Sequence, residues 1–95
     1  MSQNNDKTVG PEQQDQILFM MLVQQHQQIA MMGLGELENP ATGKKAKDLK
    51  AVKYAIDTLN MLEKYTSGNL TKEMSGYLSE TLKSLRLRYV DANKS

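Results

Sequence analysis

Five lysines fall within ten residues, Lys44, Lys45, Lys47, Lys50 and Lys53, and Arg86, Arg88 and Lys94 add positive charge near the end of the chain. Lysines and arginines that converge can hold a nucleic-acid backbone or a nucleotide phosphate through charge. Reading bases or stacking on a single strand needs aromatic rings among the charges, and only Tyr54 is close. The run Thr42-Gly43-Lys44-Lys45 is not a phosphate loop: Glu38 stands where the spacing requires glycine, and Lys45 where serine or threonine binds magnesium. Solvated charge is therefore the plainer reading of the cluster.

Two other residue types invite a chemical reading. His26 is the only imidazole. On a helix it falls near the middle of an apolar face, as a pH-sensitive element, as a polar layer that sets register, or as a core histidine satisfied by a neighbouring carbonyl or side chain. The last reading is favoured, and metal ligation is disfavoured because its sequence neighbours are amides. Asp57 lies between Lys53 and Lys64; a catalytic carboxylate would need a second carboxylate, a base or a metal, and an ion pair with Lys53 at i, i+4 is the simpler account. An enzyme would have to assemble His26, Asp57 and Glu36 or Glu38. No catalytic, cofactor or metal site is expected.

Composition narrows the field further. Ninety-five residues make one domain, and without cysteine neither a disulfide framework nor a cysteine-based zinc site can reinforce a core of this size. Self-association is the remaining common support. A net charge of +1 exerts no global pull toward nucleic acid or anionic membrane. The longest apolar run, Ile17 to Val23, is far shorter than the ~20 residues that span a bilayer. The first ten residues lack the basic-then-apolar order of a secretion signal, so a cytoplasmic location is the expectation.

The elements that must position these residues are helical. Residues 1–11 are expected to be a disordered tail, 12–92 a single helical domain and 93–95 a short C-terminal tail. Helix 1 begins between Pro11 and Asp15 and runs to about Met32. Leu18, Phe19, Leu22, Val23, Ile29, Ala30 and Met32 share one half of its wheel, with His26 and Gly33 near the centre. Ile17, Met20 and Met31 lie on the other half among glutamines, and Met20 and Met31 have no obvious intrachain partner. Gly33 and Gly35 close the helix, and a turn at Asn39-Pro40-Ala41-Thr42-Gly43 interrupts the connection that follows.

Helix 2, from Leu49 to Thr66, carries two apolar stripes. Leu49, Val52, Ala55, Ile56, Leu59 and Leu62 form a broad one; Tyr54, Thr58, Met61 and Tyr65 form a second. Two stripes imply cover from two sides, one from helix 3 and one from helix 1. Asp48 is its expected cap, Gly68 its left-handed closing residue, and Thr71 the cap of helix 3, about Lys72 to Asp91. So short a link makes helices 2 and 3 antiparallel neighbours. Helix 3 has one stripe, Met74, Leu78, Thr81, Leu82, Leu85 and Tyr89, opposite a charged face. No alternating strand pattern appears.

Four short motifs, in order, resemble a family of small bacterial proteins labelled domain of unknown function 1844. They are Leu34-Gly35-Glu36-Leu37 with Asn39-Pro40 and Thr42-Gly43, Ile56-Asp57-Thr58-Leu59 with Met61-Leu62, Gly68-Asn69-Leu70-Thr71, and Leu85-Arg86-Leu87-Arg88-Tyr89-Val90. The resemblance covers roughly residues 17 to 91. It implies a small all-helical bacterial protein and carries over no catalytic residues. The glutamine block around His26 departs from the more apolar middle of helix 1 that the resemblance implies.

Three helices are therefore expected, an antiparallel helix 2–helix 3 hairpin with helix 1 packed on helix 2, completed by oligomerisation, with a homodimer favoured. The expected function is a non-catalytic interaction module. Its surface would comprise Leu18, Met20, Met21, Leu22, His26, Ile29, Met31 and Met32, with an unidentified protein as a further partner. The alternative is a nucleic-acid or phosphate-binding accessory using Lys44, Lys45, Lys47, Lys50 and Lys53.

Overall fold

In the computed structural model of the chain, residues 10–94 are described, and the expected N-terminal tail falls outside them apart from its last two residues. They form α1 (Pro11–Gly33), α2 (Leu49–Thr66) and α3 (Lys72–Lys94). The described residues contain no strand, only two isolated antiparallel bridges inside the α1–α2 connection. α3 continues past the Asp91 read from the sequence.

Local chemistry sets the helix ends. Pro11 occupies the first turn of α1, where a missing N–H breaks no helical bond, and the Gln13 side chain accepts from the Gly10 N–H at 3.0 Å. At the other end the Gly35 N–H donates to the Met32 carbonyl and the Glu36 N–H to that of Met31. With Gly35 at φ +80°, this is the double-bonded glycine closure of a helix. Asp48 caps α2 by accepting from the Ala51 N–H, and the Thr71 hydroxyl accepts from the Met74 N–H to cap α3. Gly68 turns the chain between them at φ +87°.

The long connection between α1 and α2 is an ordered excursion whose two ends meet. The Asp48 N–H donates to the Gly33 carbonyl at 2.8 Å, which brings the end of α1 onto the start of α2. At its tip, Asn39 accepts from the Ala41 N–H through its side chain and from Thr42 and Gly43 through its carbonyl. α1 and α2 are thereby held antiparallel despite the length of the link.

One core joins all three helices. Val23, Ala30 and Leu34 meet Val52, Ala55, Ile56 and Leu59 of α2 and Leu78, Leu82 and Leu85 of α3. α1 packs most extensively on α2, α2 next on α3, and α1 least on α3. The largest wholly buried side chains, Leu59, Leu78, Leu82 and Leu85, come from α2 and α3, and each contributes roughly 1.5–3 kcal/mol of transfer free energy.

Two expectations are corrected. Both neighbours of α2 pack against its broad stripe. Tyr54, Met61 and Tyr65 of the second stripe stay exposed, and only Thr58 is half covered, its hydroxyl donating to the Tyr54 carbonyl. On α1 the apolar half-wheel is split. Phe19, Val23 and Ala30 turn inward with His26, whereas Leu18 is 63% and Leu22 36% exposed. A helix apolar around most of its girth does not fix its inward face by periodicity alone.

Candidate interaction surface

The outward face of α1 is built by the rotation its core contacts impose. Val23, His26, Ala30 and Leu34 point into the molecule. The next α1 positions around the wheel from these are Leu18, Met21, Leu22, Gln25, Ile29 and Met32, of which Ile29 still borders the start of α2. Leu18 and Met21 are exposed, Leu22 lies at the edge of exposure, and Ile29 and Met32 are half-buried where the connection folds beside them. Spacings of 4, 3, 4 and 3 from Leu18 through Leu22, Gln25, Ile29 and Met32 are those of a helix–helix seam. No charged residue occurs between Asp15 and Glu36.

Met20 and Met31, for which the sequence offers no intrachain partner, both lie on the side of α1 that faces α3. Met31 packs against the core, and its sulfur lies 3.7 Å from an Arg88 guanidinium nitrogen. Met20 lines an open groove of about 640 Å³ between the first half of α1 and the start of α3, with Ile17, Met21 and Met74 as its apolar wall and Gln13, Gln16, Gln24, Thr71 and Glu73 around it. Of the eight residues expected to form the surface, Leu18, Met21 and Leu22 stand open on it. Ile29 and Met32 reach it from a half-buried position, and Met20 and Met31 turn toward α3.

His26 belongs to the core. It is 9% exposed, its Nδ1 lies 2.9 Å from the Leu22 carbonyl, and its ring tilts against that of Tyr54 with centroids 6.0 Å apart. A helical carbonyl four residues back thus satisfies one ring nitrogen, the arrangement expected of a buried polar group. Asp57 accepts from Lys53 Nζ at 2.7 Å, and Glu36 pairs with Arg88. Hydrogen bonding to Asp57 holds the Lys53 ammonium above the usual lysine range. Among the described residues no ion pair or hydrogen bond joins His26, Asp57 and Glu36, and no three metal-ligating side chains gather.

The basic cluster is exposed throughout, though its charges differ in engagement. Lys53 is held by Asp57, Arg86 by Asn60 and Arg88 by Glu36. The C-terminal arginines are therefore committed to contacts that tie α3 to α2 and to the connection. Lys44, Lys45, Lys47 and Lys50 form no ion pair with a described residue. Lys44 and Lys47 line a recess of about 440 Å³ that also contains Ile29, Met32 and Ala51. The positive end of the molecule thus adjoins the C-terminal end of the α1 stripe, a juxtaposition that neither residue type signals by itself.

The described residues contain no helix long and apolar enough to cross a membrane. The family model described as domain of unknown function (DUF1844) matches residues 16–91, so the match takes in α2, the connection and most of α1 and α3. Neither a curated protein nor a solved structure gives a match.

Proposed function

The chain belongs to the DUF1844 family, and from that premise we propose that it is a non-catalytic helical interaction module, an oligomeric adaptor or accessory subunit acting in the cytoplasm. The observation that carries the reading is the outward stripe of α1. The chain completes a core with all three helices, yet leaves Leu18, Met21 and Leu22 open on a charge-free helix face. Contiguous apolar surface of this kind, rimmed by amides, marks an association site more often than a solvated face. Separate pairings of His26, Asp57 and Glu36 favour this reading over an enzyme. A homodimer is the favoured assembly.

The test is capture of the tagged full chain from extract of its own cell, divided into nuclease-treated and untreated halves. A stoichiometric protein that survives nuclease and is lost with Leu18→Asp and Leu22→Asp supports the module. A second reading, phosphate or nucleic-acid binding through Lys44, Lys45, Lys47 and Lys50, is favoured by the exposure of these four side chains, which pair with no acidic group among the described residues. Enrichment that disappears with nuclease, and on reversal of Lys44, Lys47 and Lys50 to glutamate, would replace the first reading by the second.

A further inference from the structure

We propose that the occupant of the α1 stripe is the α1 stripe of a second copy, running antiparallel, with the two-fold axis at Gln25. The proposal rests on the interaction-module reading and names its partner.

Three observations select a second copy. The first is positional symmetry. Counted from Gln25, Leu18 and Met32 stand seven residues to either side, and Met21 and Ile29 four. Reversing the helix about this point places Leu18 on Met32 and Met21 on Ile29 of the other copy, apolar on apolar, sets Leu22 against Gln28, and leaves amide on amide at the axis. An isologous contact requires such self-complementarity. A glutamine side chain both donates and accepts, so two of them can satisfy one another across a two-fold axis, where two like charges would repel.

The second observation is charge. The N-terminal end of α1 carries Glu12 and Asp15. Beside its C-terminal end lie Lys44, Lys45, Lys47 and Lys50, which outnumber Glu38 and Asp48 there, Glu36 being taken up by Arg88. Antiparallel pairing sets the acidic end of each copy against the basic end of the other; parallel pairing sets like against like. Recognition of this sort fixes orientation.

The third is size. The three helices share one core of only ten buried residues, small for a chain that folds alone. A stable contact covers about 800 Å² on each partner, more than one helix seam supplies. The contact of His26 with Tyr54 sets the antiparallel register of α1 and α2. One turn further, Leu22 comes level with Thr58, and beyond it Leu18 with Met61 and Tyr65. The exposed stripe of α2 therefore continues the surface of α1, and a second copy would cover both.

Because the chain has no cysteine, single-cysteine variants of the full-length protein report the geometry directly. Disulfide formation needs Cβ atoms within about 4.5 Å. Under mild oxidation Gln25→Cys should cross-link to itself. Leu18→Cys and Met32→Cys should each remain uncrosslinked alone, but should form a mixed disulfide when the two proteins are combined, with helical circular dichroism retained. Self-linking of Leu18→Cys, a dimer by mass that links at none of these sites, or a protein sedimenting as a 10.7 kDa monomer would each overturn the proposal. Its failure is separable from that of the module reading. A monomer that still captures another protein through Leu18 and Leu22 keeps the module and loses only the self-pairing.

Discussion

Gly33 lies so close to Val52 that a Cβ on the glycine would stand 2.7 Å from the valine Cγ2 and equally near the Asp48 carbonyl oxygen. The end of α1 and the start of α2 touch here with no room for a methyl group. In an open helix, replacing glycine by alanine gains about 1 kcal/mol. At this position overpacking against backbone should reverse the sign, and Gly33→Ala is expected to destabilise the fold by roughly 1–2 kcal/mol. Gly76→Ala is the control. Nothing lies within 4 Å of its Cβ position on the exposed side of α3, and it should stabilise by about 0.5–1 kcal/mol. Urea denaturation of both variants measures the contrast.

Most of the hairpin is legible in the sequence. Val52, Ala55, Ile56 and Leu59 on α2, and Met74, Leu78, Thr81, Leu82 and Leu85 on α3, all lie on stripes that periodicity identifies, and all are buried. Asp48, Gly68 and Thr71 close and open helices as their side chains or backbone freedom dictate. Each of these signals is local, read from the broad stripe of α2 and the single stripe of α3, whereas the second stripe of α2, which by spacing alone called for cover, stays exposed.

The candidate surface is less legible because α1 has more than one apolar face. Leu18 and Leu22 occupy the same half-wheel as Phe19 and Val23, and which pair turns inward is decided by contacts distant in sequence. These include Gly33 on Val52, the Tyr77 hydroxyl donating to the Gln27 side chain, and Met31 beside Arg88. The folded connection is hidden for the same reason. Its pairings of Leu34 with Lys47 and Asn39 with Lys44 are made by backbone, with no side-chain pattern to announce them.

Leu59 is wholly buried at the junction of the three helices. Leu59→Ala should lower unfolding free energy by about 2–5 kcal/mol, through lost burial and the cavity left behind. Thermal or chemical denaturation followed at a helical wavelength checks it.

Arg88 ties α3 to the connection through Glu36, with both side chains close to half exposed. Arg88→Ala and Glu36→Ala should each destabilise by no more than about 1 kcal/mol, with the effect shrinking as salt is raised. A larger, salt-independent loss would mean that packing of Arg88 on Met31, and not the ion pair, fastens the connection.

Lys53 and Asp57 give a defined pH dependence. The lysine is held above its usual 10.5, so the pair contributes fully below that pH and its contribution is lost only as pH rises through the higher folded value. Both side chains are more than half exposed, so the contribution is small. Lys53→Met should therefore shift the denaturation midpoint little at pH 7, and its difference from the parent chain should vanish only in strongly alkaline solution. Denaturation curves collected from pH 7 to 11 test both statements.

The central claim is that the outward stripe of α1 serves association while the inward one serves folding. Sedimentation equilibrium of the parent chain and of the double variant Leu18→Asp, Leu22→Asp addresses it most directly. The account predicts twice the 10.7 kDa chain mass for the parent and the single mass for the variant, with helical circular dichroism unchanged. A variant that keeps the parent's mass, or one that loses its helices, would contradict it, because the stripe would then be either idle or part of the fold.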